Sequence, residues 1–479
     1  MAHEINSNAL VVIEQCQVAP PPGSLPSTTL PLTFFDIPWF CCLVPVQRIF
    51  FYEFPHPKHH FLQTALPILK RSLSLTLQHF FPFSSNLIVP PQQPHLSYIR
   101  YLDGDSLSFT VAESTADFTL LTSHSPQDVK NWHPLVPTLR SPRVEQDGTR
   151  VNPLMAIQVT VLPSSGFTIC LTFNHIVGDG KSIHHFMKFW ASVSKARGDL
   201  ASSVVSLSLP SHERDKVKDP KGLKPLYLQE LEGLDSQSME IATIMPEVFT
   251  NKVRSTLVLS REQVQNLKKW VSLKCASYNS EELHISTFVA TCSLVWFCMI
   301  KSEGESKVNC VAQESDEVCY LVFLADCRDT PEPELSFSST YFGNCLTSCI
   351  VEIKRSELVG ENGIVEVAKA IERRVRDFKN DALTKAETLM SDYRELWKPG
   401  KSVVVIAGSP KLAVYETDFG WGKPKKSDAV HIDRAGYVSL SDCRDKEGGI
   451  DVGFALEKIQ MNSFTNILEE QLNIIACDP

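Results

Sequence analysis

A chain of 479 residues, 43% hydrophobic and 21% charged, has the make-up of a globular protein and is too long for one ordinary core, so two domains of roughly 200 residues each are expected. A formal net charge of −9 and a pI near 5.9 argue against nucleic acid or an anionic membrane as partner and leave small molecules as the better substrate class. No apolar run approaches the roughly 20 residues that cross a bilayer, and "MAHEINSNALVVIEQ" lacks a basic region followed by a long apolar one, so a cytoplasmic protein is expected.

In chain order, "PHPKHH" (His56, His59, His60) holds three histidines between prolines with no carboxylate or cysteine in support, which reads as a solvated loop rather than a metal site. Leu62, Leu66, Leu69, Leu73 and Leu77 recur at helical spacing. "MAIQVTV" and "FTICLTF" alternate apolar and other residues around the turn-forming "LPSSG": Met155, Ile157, Val159 and Val161 share one face, as do Phe167, Ile169, Leu171 and Phe173. That is a strand pair. Ile183, Phe186, Met187, Trp190 and Val193 then return to helical spacing.

From about 196 to 250 the chain turns polar and irregular, as an interdomain crossover does, which divides it into 1–195, 196–250 and 251–479. Beyond it, "ISTFVATCSLVWFCMI" is apolar on nearly every side and reads as a buried helix. "DEVCYLVFLADCR", "KSVVVIAG" and "GGIDVGFAL" read as strands, and Val367, Ile371, Val375 and Phe378 mark another helix. Strands and helices mix without a regular βαβ rhythm, so the expected class is α/β with mixed α+β sheets. The 14 cysteines are scattered, with no CxxC pair, and are expected to be free and mostly buried.

The window that carries chemistry is "NHIVGDG", Asn174 to Gly180, at the junction of the second strand and the helix. HxxxD alone is weak, because 14 histidines give about 0.7 accidental matches; His124 and Asp128 in "HSPQD" supply one, in a polar stretch that reads as loop. Requiring Gly180 as well cuts the expectation to about 0.03. A histidine at a strand end suits removal of a proton from a hydroxyl near neutral pH. Asp179 either faces the imidazole or turns away to pair with an arginine, and Gly178 and Gly180 are expected to supply backbone freedom. No GxSxG elbow is present, so the histidine is expected to act on the acceptor directly.

"NHIVGDG" together with "DFGWGKP" (Asp418 to Pro424) resembles the plant BAHD acyltransferases. "LPLTFFDIPW" (Leu30 to Trp39) and "YFGNC" (Tyr341 to Cys345) resemble the anthocyanin and flavonoid glycoside branch, malonyltransferases included. The resemblance spans essentially the whole chain. It implies two similar chloramphenicol-acetyltransferase-like domains with a channel between them, His175 at its middle as general base, and Asp179 as a structural residue paired with Arg328. Gly180, Asp418, Gly420, Trp421 and Gly422 then shape the site, and Lys268, Lys269, Ser286 and Thr287 match positions that hold coenzyme A. Acyl-CoA is the implied co-substrate, with no bound prosthetic group and no metal.

The implied acceptor is a sugar hydroxyl of a flavonoid, isoflavonoid or anthocyanin glucoside. A malonyl donor is preferred to an aromatic one, its carboxylate served by Lys181, Arg254 or the pair His184 and His185; helix phase puts Lys181 and His185 on one side. Ser409 and Pro410 stand where the shikimate and quinate branch carries Ser-Trp, which makes those acceptors poor expectations. A thioester hydrolase and a noncatalytic member are the rivals, and a monomer is the expected state.

Overall fold

The computed structural model describes residues 10–41, 45–91, 93–201, 207–231, 251–277, 283–306, 317–328, 330, 335, 337–434 and 436–477. Three sheets organise it. The six-stranded sheet runs Leu10–Val18, Leu107–Ser114, Met155–Leu162, Gly166–Phe173, Val46–Glu53, Lys426–Ala429. The seven-stranded sheet runs Leu346–Lys354, Val318–Asp326, Ser402–Gly408, Tyr437–Asp442, Ile450–Glu457, Lys252–Leu259, Gln127–Asp128. A five-stranded sheet joins Thr28–Pro31, Tyr98–Tyr101, Asn86–Val89, Arg150–Pro153 and Arg143–Val144. Parallel and antiparallel pairs occur together in the two large sheets.

The halves exchange strands. Lys426–Ala429, late in the chain, pairs antiparallel with Val46–Glu53, while Gln127–Asp128 pairs with Lys252–Leu259 in the other sheet. The "HSPQD" copy thus lies partly in a short edge strand rather than wholly in a loop; Asp128 caps the following turn by accepting from Lys130 N at 2.9 Å.

The strand pair forms in the register that its alternation dictates, Met155 opposite Phe173 and Val161 opposite Phe167. Both strands are buried along their whole length, so the alternation separates two covered faces rather than core from solvent. On the second face two polar side chains find partners in the 127–139 segment: Gln158 Nε2 donates to the Pro134 carbonyl at 2.9 Å, and Thr172 Oγ1 to that of Pro137 at 2.6 Å.

The helix Gly180–Lys195 buries Ile183, Phe186, Met187, Trp190 and Val193 against the first face. At about 1.5–3 kcal/mol for each large apolar side chain, that stripe fixes the helix and therefore the loop before it. The leucine stripe at 62–77 begins with a wide helical turn over Phe61–Ala65 and becomes regular helix at Leu66–Leu77.

The apolar run near residue 290 is the helix Thr287–Ser306, enclosed by Gly363–Asn380, Lys458–Cys477 and the seven-stranded sheet. Cys170, Cys292, Cys319, Cys345 and Cys349 are buried and unbridged. No helix among the described residues is long and apolar enough to cross a membrane.

Candidate active site

His175 opens a short helical turn, His175–Val177, between the strand Gly166–Phe173 and the helix Gly180–Lys195. Asn174 caps that turn, its Oδ1 accepting from Ile176 N at 3.0 Å. The imidazole is held on one edge and one face. Nδ1 lies 3.0 Å from Asn344 Oδ1, and the ring stacks on Trp39 with centroids 3.4 Å apart and planes 13° from parallel.

Asn344 orients this contact. Its Nδ2 donates to Asp36 Oδ1 at 2.9 Å and to the His175 carbonyl at 2.9 Å, which leaves Oδ1 as an acceptor. The Nδ1 of His175 therefore carries the proton, and Nε2 holds a free lone pair. Asp36 is fully buried; its Oδ2 is bound by Arg214 Nη1 at 2.8 Å and by Thr33 N and Oγ1, each at 2.8 Å. Arg214 Nη2 reaches back to the Val177 carbonyl at 2.8 Å and closes a ring of contacts around the loop.

Burial pushes the His175 pKa down to about 4, against the opposing pull of Asp179, the Asn344 hydrogen bond and Asp36. The imidazole is thus neutral near pH 7.

Asp179 takes the second of its two options. Its Oδ2 accepts from Arg328 Nη1 at 2.8 Å and from Cys345 N at 3.1 Å, while Oδ1 caps the helix through Ser182 N at 3.0 Å. Burial works to raise the Asp179 pKa, but Arg328 and the Ser182 amide outweigh it and the net direction is down. Arg328 also meets Asp326 Oδ1 at 3.0 Å and the Gly343 carbonyl at 3.1 Å. Ser182 Oγ donates to the same carbonyl at 3.0 Å, so the "NHIVGDG" and "YFGNC" windows are laced together.

The glycines act through space rather than backbone freedom. Gly178 is extended, at φ 170°, and Gly180 is helical. A Cβ on Gly178 would stand 3.1 Å from Ser182 Cβ, and one on Gly180 3.3 Å from Leu412 Cδ1.

The "DFGWG" window forms a separate turn. Asp418 Oδ1 accepts from the amides of Gly420 and Gly422 at 2.8 and 2.9 Å, and Oδ2 pairs with Lys195 at 2.7 Å. Gly420 and Gly422 have φ of +104° and +98°, where residues with a Cβ are strained. Trp421 sets its edge against Phe54 and Phe167, and Phe419 packs on Trp190 and Tyr52, so the turn clamps the far end of the helix that His175 precedes.

Of the cations expected for an acyl carboxylate, Arg254 is already committed. It is buried between Asp428 and Asp433, at 3.1 Å from each, with its guanidinium 3.7 Å from the Trp132 ring. That role joins a strand of the seven-stranded sheet to one of the six-stranded sheet, and the expectation for Arg254 is corrected accordingly. His184 and His185 supply no cation either: burial pushes His184 down to about 3, with Nδ1 on the Gly180 carbonyl, and His185 donates from Nε2 to the Ser208 carbonyl. Lys181 is 41% exposed and 3.6 Å from Asp326.

Lys268 and Lys269 lie on the helix Arg261–Ser277, half-buried and exposed respectively. Ser286 caps the helix Thr287–Ser306 through Val289 N at 3.2 Å, and Thr287 is its first residue. Ser409 likewise caps the turn at Pro410, accepting from Lys411 N at 3.2 Å. His56 and His60 rest on Phe54, and among the described residues no group of metal-ligating side chains comes together.

Sequence reading missed Trp39, Asp36, Asn344 and Arg214 as individual residues. Two quoted windows contain the first three, but nothing in their spacing ties positions 36, 175, 214 and 344 to one point. Arg214 lies in the stretch expected to be irregular crossover, which also holds the helix Leu223–Leu231 packed on the core.

A family model described as the transferase family matches residues 9–471. The chain is similar to coumaroyl-CoA:anthocyanidin 3-O-glucoside-6''-O-coumaroyltransferase 1 of Arabidopsis thaliana, 40% identical over 97% of this chain and 98% of that protein. It is similar also to malonyl-coenzyme A:anthocyanin 3-O-glucoside-6''-O-malonyltransferase of Dahlia pinnata, 36% identical over 97% of each. Among solved structures, vinorine synthase superposes with a TM-score of 0.64 at 16% identity, covering 95% of this chain and 96% of its own, a likeness of fold. The expected mixed α/β architecture of the chloramphenicol-acetyltransferase type stands.

Proposed function

We propose that this chain, which belongs to the transferase family of BAHD acyltransferases, moves an acyl group from acyl-CoA to a sugar hydroxyl of a flavonoid, isoflavonoid or anthocyanin glucoside, with His175 as general base. The observation that carries the role of His175 is the 3.0 Å contact of its Nδ1 with Asn344 Oδ1, the Asn344 nitrogen being committed to Asp36 and the His175 carbonyl. With Nδ1–H given to Asn344 Oδ1, Nε2 is left to take the hydroxyl proton.

The acceptor oxygen then attacks the thioester carbonyl, whose π electrons move to its oxygen. Collapse of the tetrahedral intermediate restores the carbonyl and expels the thiolate of coenzyme A, which takes the proton back from Nε2. A thioester is already activated, so no acyl-enzyme is needed, and no serine elbow supplies one. Asp179 and Arg328 act through the loop: their buried pair, with Ser182, sets the position of His175 against the YFGNC window.

The channel is read as lying between the halves 1–195 and 251–479. Coenzyme A approaches from the side of Lys268, Lys269, Ser286 and Thr287, where the two lysines suit its phosphates. Gly180, Asp418, Gly420, Trp421 and Gly422 hold the surrounding backbone in place. The chain is read as a cytoplasmic monomer, which its acidic composition and the free cysteines among the described residues favour.

Malonyl is the donor in the name of the Dahlia pinnata relative, and Lys181, exposed and only loosely paired with Asp326, is the candidate cation for its carboxylate. An aromatic donor is the second reading. It is favoured by the commitment of Arg254 to buried carboxylates and by the name of the relative at 40% identity, a coumaroyltransferase. The experiment is a matrix of malonyl-, acetyl- and coumaroyl-CoA against isoflavone, flavonol and anthocyanidin glucosides, read by mass spectrometry. A malonylated glucoside supports the first reading and a coumaroylated one the second. Thiol release that ignores the acceptor sinks both in favour of a hydrolase.

A further inference from the structure

Trp39 stands on the short turn Ile37–Cys41, and the fold builds that turn onto the base with some care. Trp39 N donates to the Asp36 carbonyl at 3.1 Å. The Asp36 carboxylate ties the preceding chain through Thr33, pairs with Arg214 and, through its other oxygen, grips Asn344. One carboxylate therefore references both restraints on His175: the amide at its edge and the indole on its face.

The charged groups around the imidazole are already matched. Asp36 is paired with Arg214, Asp179 with Arg328, and His431, whose field also reaches His175, is held neutral by burial. When His175 becomes an imidazolium, the added charge meets a neutral amide oxygen on one edge and the electron-rich face of Trp39 within stacking distance. A tryptophan face is the strongest of the aromatic partners for a cation, and more so at a desolvated site.

We propose that Trp39 is a positioning residue for the base: its indole fixes the plane of the His175 imidazole and stabilises the imidazolium that forms when the acceptor hydroxyl gives up its proton. This rests on the acyl-transfer reading above. Trp39 also lines a recess with Phe40, Leu87, Val89, Asn152, Asn174 and Ile176, so the ring that braces the base borders open space beside it.

The test replaces Trp39 in the full chain by 5-fluoro-, 5,7-difluoro- and tetrafluorotryptophan, which keep the ring's shape and weaken its face stepwise. Two quantities are read: the titration midpoint of His175 by NMR of labelled histidine, its signal identified by loss in His175→Gln, and kcat at saturating acyl-CoA and glucoside. The midpoint should move down in steps, and kcat should fall in step with it by about 3- to 30-fold at constant KM, the size of one cation–π contact. Trp39→Phe, a weaker face, should fall between wild type and the end of the series, and Trp39→Leu should match that end. A midpoint that ignores fluorination overturns the proposal with or without catalytic turnover, and so does a moving midpoint with unchanged kcat. Absence of any acylated product from the wild-type chain would instead sink the acyl-transfer reading, with the midpoint still deciding the fate of this one.

Discussion

Replacing Asp179 by alanine isolates the part of the site that works through structure. The carboxylate is fully buried and serves three donors: Arg328 Nη1, Cys345 N and Ser182 N. Its removal strands a guanidinium whose side chain is 2% exposed and leaves two amides without their acceptor. Breaking a buried pair from one side costs about 3–5 kcal/mol, and the remaining contact of Arg328 with the half-exposed Asp326 keeps the loss within that range. For a chain of 479 residues unfolding as a unit, the entropy at the midpoint is about 1 kcal/mol/K, so Tm should fall by about 3–5 °C. The pair also predicts a rescue: Asp179→Ala with Arg328→Leu should melt above Asp179→Ala alone, because no uncompensated charge remains. Differential scanning calorimetry of the wild type, both single variants and the double variant reads all four corners. Asp179→Ala within 1 °C of wild type, or a double variant that melts below Asp179→Ala, would refute the assignment of Asp179 and Arg328 as a buried structural pair.

The site's remaining residues make separate demands. Because the His175 pKa is depressed to about 4 and the base must be neutral, the acid limb of kcat/KM should sit near pH 4–5 rather than near 6.5, and a pH profile in buffers of constant ionic strength reads it. Asp179, whose folded pKa is below its unfolded value, adds stability above that unfolded value that is lost as pH falls further, so acid melting curves of Asp179→Ala and wild type should converge below about pH 4. Asn344→Ala removes the acceptor at Nδ1 and a donor to buried Asp36; one buried hydrogen bond of that kind is worth about 1–3 kcal/mol, so kcat should fall roughly 5- to 150-fold with KM for acyl-CoA little changed. Arg254→Gln should destabilise the chain by about 3–5 kcal/mol in calorimetry while leaving the ratio of malonyl to coumaroyl transfer as it was.

Much of the fold was legible because its local signals agree with its packing. The paired strands, the helix after them and the apolar helix near residue 290 all form where periodicity placed them. The wide turn at Phe61–Ala65 and the burial of both sheet faces at 155–173 were hidden, since neither leaves a trace in an apolar count. The strand exchange was hidden for a different reason. Lys426–Ala429, of sequence KSDA, carries no strand signature and is held by its partner, by buried Arg254 on Asp428, and by Arg48 on Ser427.

His175 and Asp179 were legible because they share one loop of unusual composition. Asp36, Arg214 and Asn344 were not, because the contacts that join them to His175 span up to 308 positions of sequence and exist only once both halves have packed. Arg254 misled because a basic residue near an apolar strand looks like a ligand site until its two carboxylate partners, 174 and 179 positions later by subtraction, are seen beside it.

The central claim is that His175 takes the acceptor's proton. Its most direct measurement is formation of acylated glucoside by His175→Ala and wild type in parallel, with the best donor and acceptor pair, alongside calorimetry to show that both are folded. The variant should be folded and its product rate lower by at least about 100-fold, the lower range of general-base catalysis. A folded variant that still acylates the glucoside at near the wild-type rate would contradict it and move the reaction centre away from His175.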